Sequence, residues 1–189
     1  MKEIEALMKK AQKYKESGLT DLEIADELNV SKETATWLLS KGKDKKPEGE
    51  VKIGWRSVGI YPSRISFIAD ALCDIILEEC DDVDTVVGIA INGIPFATLI
   101  ADKLGVEMAV FRPHQEKSGA FSSNYASIEG KNIVLIDDVV GTGETFKSAI
   151  KATKTEKGKP VLCLSVINKR AQNSISNVKL RALIRARVI

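Results

Sequence analysis

The stretch Val134-Leu-Ile-Asp-Asp-Val-Val-Gly-Thr-Gly-Glu-Thr-Phe146, VLIDDVVGTGETF, decides how this chain is read. Apolar residues run into two adjacent acids, then a loop of small residues, then a helical pattern with Phe146, Ala149, Ile150 and Thr153 inward. The apolar run predicts a buried strand over Ile133 to Asp137, with Asp137 and Asp138 at its carboxyl end. Amides at a helix start favour an anion, and glycine lets a backbone come close to it. Thr142 and Thr145 add hydroxyl donors. Gly141, Thr142, Gly143, Glu144 and Thr145 therefore suit a phosphate. Two carboxylates just before such a cradle suggest a sugar phosphate whose ribose hydroxyls donate to the acids. No Gly-Lys-Ser/Thr follows, so this is not a Walker loop, and the dinucleotide fingerprint lacks its third glycine.

Around this stretch strands and helices alternate. Pro62 and Ser63 open a helix with Ile65, Ile68, Leu72 and Ile75 on one face. Thr85 to Ala90 reads as a buried strand, and the loop Ile91 to Pro95 leads into a helix striped by Phe96, Leu99, Ile100 and Leu104. Gly105 ends that helix; Glu107 to Phe111 and Val161 to Ile167 read as further strands. Repeated βαβ units predict a parallel sheet with helices on both faces. Ligands of such sheets bind at the carboxyl ends of the strands.

The segment Lys41 to Glu50, KGKDKKPEGE, has no apolar residue and reads as a linker. Three helices are expected before it. Ile4, Leu7, Met8, Ala11 and Tyr14 share one face, and Gly18 stops that helix. Thr20 and Glu23 make a capping box for a second helix carrying Leu22, Ala25 and Leu28. Ser31 caps a third, with Ala35 and Leu38 inward and Thr34 beside them. Ala25 allows a close helix crossing, and Asn29 tolerates the positive φ that a helix-turn-helix needs. In that geometry Ser31, Lys32, Glu33, Thr36, Trp37 and Ser40 face a major groove. The basic run from Lys41 to Lys46 suits phosphates, although the piece as a whole is not basic. Aromatic stacking platforms for RNA are absent. A plain three-helix interaction module is the competing reading.

The expected fold is α/β: an all-α helix-turn-helix domain over residues 1–42, a linker over 43–50 and a parallel-sheet domain over 51–189. The 189 residues carry a net charge of +2. Beyond Lys147 there are many lysines and arginines and only one acid, Glu156, which reads as a solvated basic face or as attraction to a polyanion. No apolar stretch is long enough for a membrane span, and the N-terminus has no signal-peptide core. Cys73, Cys80 and Cys163 are scattered and read as core thiols in a reducing cytoplasm. No Cys/His pattern for zinc occurs, nor a fingerprint for nicotinamide or flavin.

The VLIDDVVGTGETF stretch resembles the binding motif of the type I phosphoribosyltransferases for phosphoribosyl pyrophosphate, PRPP. The resemblance covers roughly Trp55 to the end. It implies that Asp137 and Asp138 hold the ribose 2′- and 3′-hydroxyls and that Gly141 to Thr145 hold the 5′-phosphate. Ala90, Ile91, Asn92 and Gly93 look like the pyrophosphate loop. Mg²⁺ would arrive with PRPP, without a protein-only metal site. The order of elements looks most like orotate phosphoribosyltransferase. Those enzymes neutralise the departing pyrophosphate with Mg²⁺ and lysines. Their mobile loop resembles Arg-Lys-x-x-Lys-x-His-Gly, whereas this chain reads Arg112-Pro-His-Gln-Glu-Lys-Ser-Gly119. Pro113, Glu116 and Ser118 replace the two lysines and the histidine, and Asn92 replaces the pyrophosphate-loop lysine. Loss of one such charge costs roughly 2.7–4 kcal/mol of transition-state stabilisation, by analogy with oxyanion-hole deletions. Arg112, His114 and Lys117 remain as mobile-loop candidates, and Lys117 and His114 are the weak catalytic candidates. Arg170 matches the position of an arginine for the base or effector, with a plain surface arginine as an equal alternative.

A helix-turn-helix fused to such a domain resembles the archaeal orotate phosphoribosyltransferase-like transcriptional regulators, and Phe121 to Lys131 looks like that group too. The expectation is a cytoplasmic homodimer that binds double-stranded DNA and senses PRPP or a nucleotide. The alternative is a working orotate-type phosphoribosyltransferase.

Overall fold

The computed structural model describes residues 2–41, 43, 51–114 and 119–187. The linker from 44 to 50 and Lys117 lie outside them. The chain forms two compact units, one running through Arg56 and the other spanning Ser57–Arg187.

The first unit holds α1 (Lys2–Glu16), α2 (Asp21–Leu28) and α3 (Lys32–Leu39). Thr20 caps α2 through a reciprocal box with Glu23: the Thr20 amide donates to Glu23 Oε2 at 2.8 Å. Hydrogen bonding to Thr20 holds the Glu23 carboxyl below its ordinary range. Asn29 ends α2 at φ 51, ψ 48, the left-handed conformation its short amide tolerates. Ser31 caps α3 by accepting from Thr34 N at 3.2 Å. The core is Ala11, Ile24, Ala25, Leu28, Ala35 and Leu38. On α2 the buried neighbour of Ala25 is Ile24, whereas Leu22 is half-exposed. Ile24, fully buried, packs in the core with Ala11 of α1 and with Ala35 and Leu38 of α3.

The second unit adds α4 (Arg56–Gly59), α5 (Pro62–Glu79), α6 (Gly93–Leu104) and α7 (Glu144–Thr155) to seven strands. These are β1 (Thr85–Ile89), β2 (Glu107–Arg112), β3 (Ala120–Phe121), β4 (Asn132–Val140), β5 (Lys159–Asn168), β6 (Ser174–Ile175) and β7 (Val178–Arg185). They form one sheet in the order β3-β2-β1-β4-β5-β7-β6. The five inner strands are parallel, and β3 and β6 are short antiparallel edges. The parallel centre agrees with the βαβ reading. The edge strands and β7 escape that reading, because two-residue strands have no period and the apolar run Ala182-Leu-Ile184 breaks the alternation that Val178 to Arg181 begins.

On α5 the buried residues are Ala69, Leu72, Cys73 and Ile76, while Ile65, Ile68 and Ile75 are half-buried. Cys73 and Cys163 are buried free thiols; Cys80, expected in the core, is only half-buried because it ends α5. Burial pushes the Cys163 thiol up to about 12, which makes it inert at neutral pH. No helix among the described residues is long and apolar enough to cross a membrane.

β4 is longer than expected and decides the geometry of the acids. It runs through Asp137 and Asp138 to Val140, because β5 continues beside it: Asp137 pairs with Ser165, Val139 with Ile167 and Val140 with Asn168. The two acids are therefore held by the sheet and do not ride on the loop.

Candidate functional site

The site lies at the carboxyl ends of β1, β4 and β5. On β4, the side chains of Asp137 and Asp138 fold back on the chain. The Asp138 amide donates to Asp137 Oδ1 at 2.9 Å, and the Val139 amide donates to Asp138 Oδ1 at 2.8 Å. Asp138 is only 5% exposed, and its Oδ2 is buried with no hydrogen-bond partner among the described residues. Burial drives its carboxyl above the ordinary range, against smaller opposite pulls from Asp137, nearby amides and Asn92. A buried carboxylate oxygen with an empty acceptor position is suited to a hydroxyl donor from outside the protein.

Ala90, Ile91, Asn92 and Gly93 join β1 to α6 next to these acids. The Ala90–Ile91 peptide is cis. Gly93 is buried with its Cα against β4: a Cβ there would overlap the carbonyl oxygen of Ile136 and come 3.3 Å from the Asp137 Cα. Only glycine lets the loop sit so close to the acids. Asn92 stands at the α6 N-terminus without capping it by its side chain. Ile91 is 71% exposed.

Gly141 to Thr145 connect β4 to α7. Gly143 stands at the α7 N-cap with φ +82, and α7 has no side-chain cap. Thr142 Oγ1 approaches Glu144 N at 3.4 Å, and Glu144 pairs with Lys147 at 2.6 Å. Thr142 and Glu144 are exposed and Thr145 is half-buried. The first amides of α7 thus face a loop with a positive helix end, the arrangement that binds a phosphate.

Arg170 comes to this loop. Its Nη1 donates to the Thr142 carbonyl, and a Cβ on Gly143 would meet Arg170 Nη1 at 2.8 Å. The structure places it over the loop from Gly141 to Thr145, and its buried Nε has no hydrogen-bond partner among the described residues. Asn168, which sequence reasoning passes over, positions it: the Arg170 amide donates to Asn168 Oδ1 at 2.7 Å. Asn168 is 1% exposed at the end of β5. Its signal is the polar residue that closes the apolar run from Val161.

The mobile-loop candidates follow the end of β2, where the Ala90 amide donates to the Phe111 carbonyl at 2.9 Å. Arg112 ends β2 and His114 follows it, both exposed. Gly119 closes this connection against the Arg112 carbonyl, where no side chain would fit. The Phe121 to Lys131 segment packs along β2: the Ser122 amide donates to Val110 O at 2.9 Å and the Ala126 amide to Met108 O at 3.1 Å. No cluster of three metal-ligating side chains occurs among the described residues.

On α3, Lys32, Glu33 and Thr36 are exposed. Ser31 spends its hydroxyl on the cap, Ser40 Oγ donates to the Trp37 carbonyl at 3.0 Å, and Trp37 packs partly against the three-helix core. Of the expected groove-facing set, Lys32, Glu33 and Thr36 are the exposed members, and Ser31, Trp37 and Ser40 are half-buried beside them. Trp37 shares the side of α3 that carries Thr34 and Leu38, which is why part of it packs on the core.

Residues 60–178 match the phosphoribosyl transferase domain family. The chain is 50% identical over 197 aligned residues to the transcriptional regulator GfcR of Thermoplasma acidophilum, covering 100% of this chain and 98% of that protein. It is 47% identical to the GfcR of Picrophilus torridus, covering 98% of each. Its fold resembles orotate phosphoribosyltransferase from Aeropyrum pernix, with a TM-score of 0.60, 20% identity, and 78% and 83% of the two chains covered. It also resembles adenine phosphoribosyl transferase from Trypanosoma brucei, with a TM-score of 0.57, 17% identity, and 74% and 72% covered.

Proposed function

The chain belongs to the family of GfcR transcriptional regulators, built on a phosphoribosyl transferase domain, and from that premise we propose that it is a DNA-binding regulator whose larger unit binds PRPP or a nucleotide as effector. The observation that carries the effector reading is the buried, unpartnered Oδ2 of Asp138 beside the Gly93 approach. In this reading Asp137 and Asp138 accept from the ribose hydroxyls. The amides of Gly141 to Thr145 hold the 5′-phosphate, with Arg170 adding positive charge. Ala90 to Gly93 would lie along the pyrophosphate, and Mg²⁺ would arrive with PRPP, supplying positive charge there. Lys32, Glu33 and Thr36 on α3 enter the major groove of double-stranded DNA, and a homodimer presents two such helices. Asn92 at the pyrophosphate loop, with Pro113 in the β2 connection, leaves little charge for a departing pyrophosphate, which favours binding over turnover.

The test is calorimetric titration of PRPP with Mg²⁺, followed by addition of orotate and purine bases while pyrophosphate is assayed. Binding without pyrophosphate release, together with DNA affinity that changes when PRPP is present, is expected. Release of pyrophosphate with one base at ordinary enzyme rates would transfer the reading to a working phosphoribosyltransferase. Unchanged PRPP affinity in Asp138→Ala would remove the site assignment.

A further inference from the structure

The charge of this chain is distributed very unevenly. Residues 1–56, which contain the helix-turn-helix, hold twelve lysines and arginines against eleven acids. Residues 57–146 hold five against fourteen, and residues 147–189 hold eleven against one. Binding to duplex DNA draws most of its affinity from phosphate neutralisation, and the helix-turn-helix unit by itself supplies almost no net positive charge for it. The larger unit as a whole is just as nearly neutral, but its charge is segregated, with the cationic excess confined to residues 147–189.

Part of that excess is already consumed. Lys179 and Arg181 both pair with Glu79, and Lys157 pairs with Glu129. Lys151 and Lys154 are exposed and make no ion pair among the described residues, while Lys147 shares Glu144. Lys147, Lys151 and Lys154 stand at i, i+4 and i+7, so they line one face of α7. They border an open groove of about 370 Å³, floored by Ile150 and closed by Thr155 and by Ser176 of the β6–β7 turn. Ser176 and Asn177 take left-handed φ values of 48 and 66, which hold this turn tight beside the helix. The groove offers three ammonium groups and two hydroxyls over an apolar floor.

We infer that this α7 groove docks the phosphate backbone of double-stranded DNA, supplying through Lys151 and Lys154 the charge that the helix-turn-helix lacks. The inference rests on the DNA-binding reading above. Bound to phosphates, these ammonium and hydroxyl groups add affinity without sequence preference.

The experiment uses the full chain and a duplex selected from genomic DNA by the wild-type protein, with affinity followed by fluorescence anisotropy across a salt series. The double variant Lys151→Gln/Lys154→Gln is expected to bind more weakly at every salt, with its log–log salt slope reduced by about 1.8, roughly 0.9 for each phosphate that is no longer neutralised. Lys151→Arg/Lys154→Arg is expected to keep the wild-type slope, which guards against a fold defect. Lys157→Gln removes a charge outside the groove and is expected to leave the slope unchanged. An unchanged slope in the Gln double variant, with wild-type DNA binding intact, would overturn the groove and leave the regulator reading standing. An equal slope loss in Lys157→Gln would overturn it too, since net charge alone would then account for the effect. Loss of binding to inorganic polyphosphate by the Gln variant, with DNA unaffected, would assign the groove to a different polyanion. Absence of DNA binding by the wild type would overturn both readings.

Discussion

Gly93 rests its Cα on the carbonyl of Ile136, so the loop after β1 and the acidic end of β4 meet backbone to backbone. That approach brings the Ala90 to Gly93 loop within reach of whatever Asp137 and Asp138 hold. Gly93→Ala would force Cβ into that carbonyl. Overpacking of this kind costs roughly 1–3 kcal/mol. The expected outcome is a lower denaturant midpoint together with weakened PRPP binding by calorimetry; wild-type values for both would remove this approach from the site.

Asp138 has a carboxyl held above its ordinary 3.8 by burial. A folded-state value above the unfolded one means that the charged form opposes folding. Stability therefore declines as pH rises from the unfolded value through the folded value, and the penalty is complete above it. Asp138→Asn removes the charge and should raise Tm at neutral pH while abolishing PRPP binding. The Tm gain should shrink as pH falls toward 3.8. Thermal unfolding over a pH series checks it, and a lower Tm at neutral pH would contradict the account.

Glu79 behaves oppositely. Hydrogen bonds from Lys179 first and Arg181 second hold its carboxyl below its ordinary 4.5. A depressed folded value gives stability that is present above the unfolded value and is lost as pH falls through the folded one. Glu79→Gln should therefore lower Tm at neutral pH and leave it little changed in strong acid. The shift should be modest, since Lys179 and Arg181 are about half-exposed and screened by solvent.

Arg170 ties the β5–β6 connection to the β4–α7 loop through the Thr142 carbonyl. Arg170→Ala should weaken PRPP binding roughly tenfold or more, as removal of a charge-assisted hydrogen bond to a phosphate implies, with Tm little changed. Equal affinity for PRPP in wild type and variant would confine Arg170 to holding the loop.

Asn29 sits at φ 51 between α2 and α3. Asn29→Gly should be tolerated. Asn29→Val should destabilise the first unit by roughly 1–2 kcal/mol, because a branched side chain resists the left-handed conformation. Circular dichroism and DNA affinity should fall together for valine and not for glycine.

The helix-turn-helix is legible in the sequence because its determinants are local. Thr20 and Glu23 are three residues apart, and Asn29 lies four from Ala25. The phosphate loop is legible for the same reason, since Gly141 to Thr145 are consecutive. Ile24 is harder to read than Leu22 because eight residues of helix fix the apolar stripe only to within one position. Trp37 is hard to place because a partly buried indole and an exposed one occupy the same sequence position.

By itself the sequence determined which chemistry is present: two adjacent acids at the end of an apolar run, a glycine-hydroxyl loop before a helix, and a capped turn between short helices. Periodicity and spacing are properties of neighbouring residues, so they survive without coordinates. Only the tertiary structure decided that β4 carries both acids inside the sheet, that Asp138 has a buried oxygen with no hydrogen-bond partner among the described residues, and that Gly93 closes on Ile136. It also decided that Arg170 meets Thr142, 28 residues away, and that Arg181 meets Glu79 across 102 residues. Those relations depend on which strands lie side by side and how far they extend. Burial and the removal of water arise only when distant segments pack, and the properties of Asp138 follow from them.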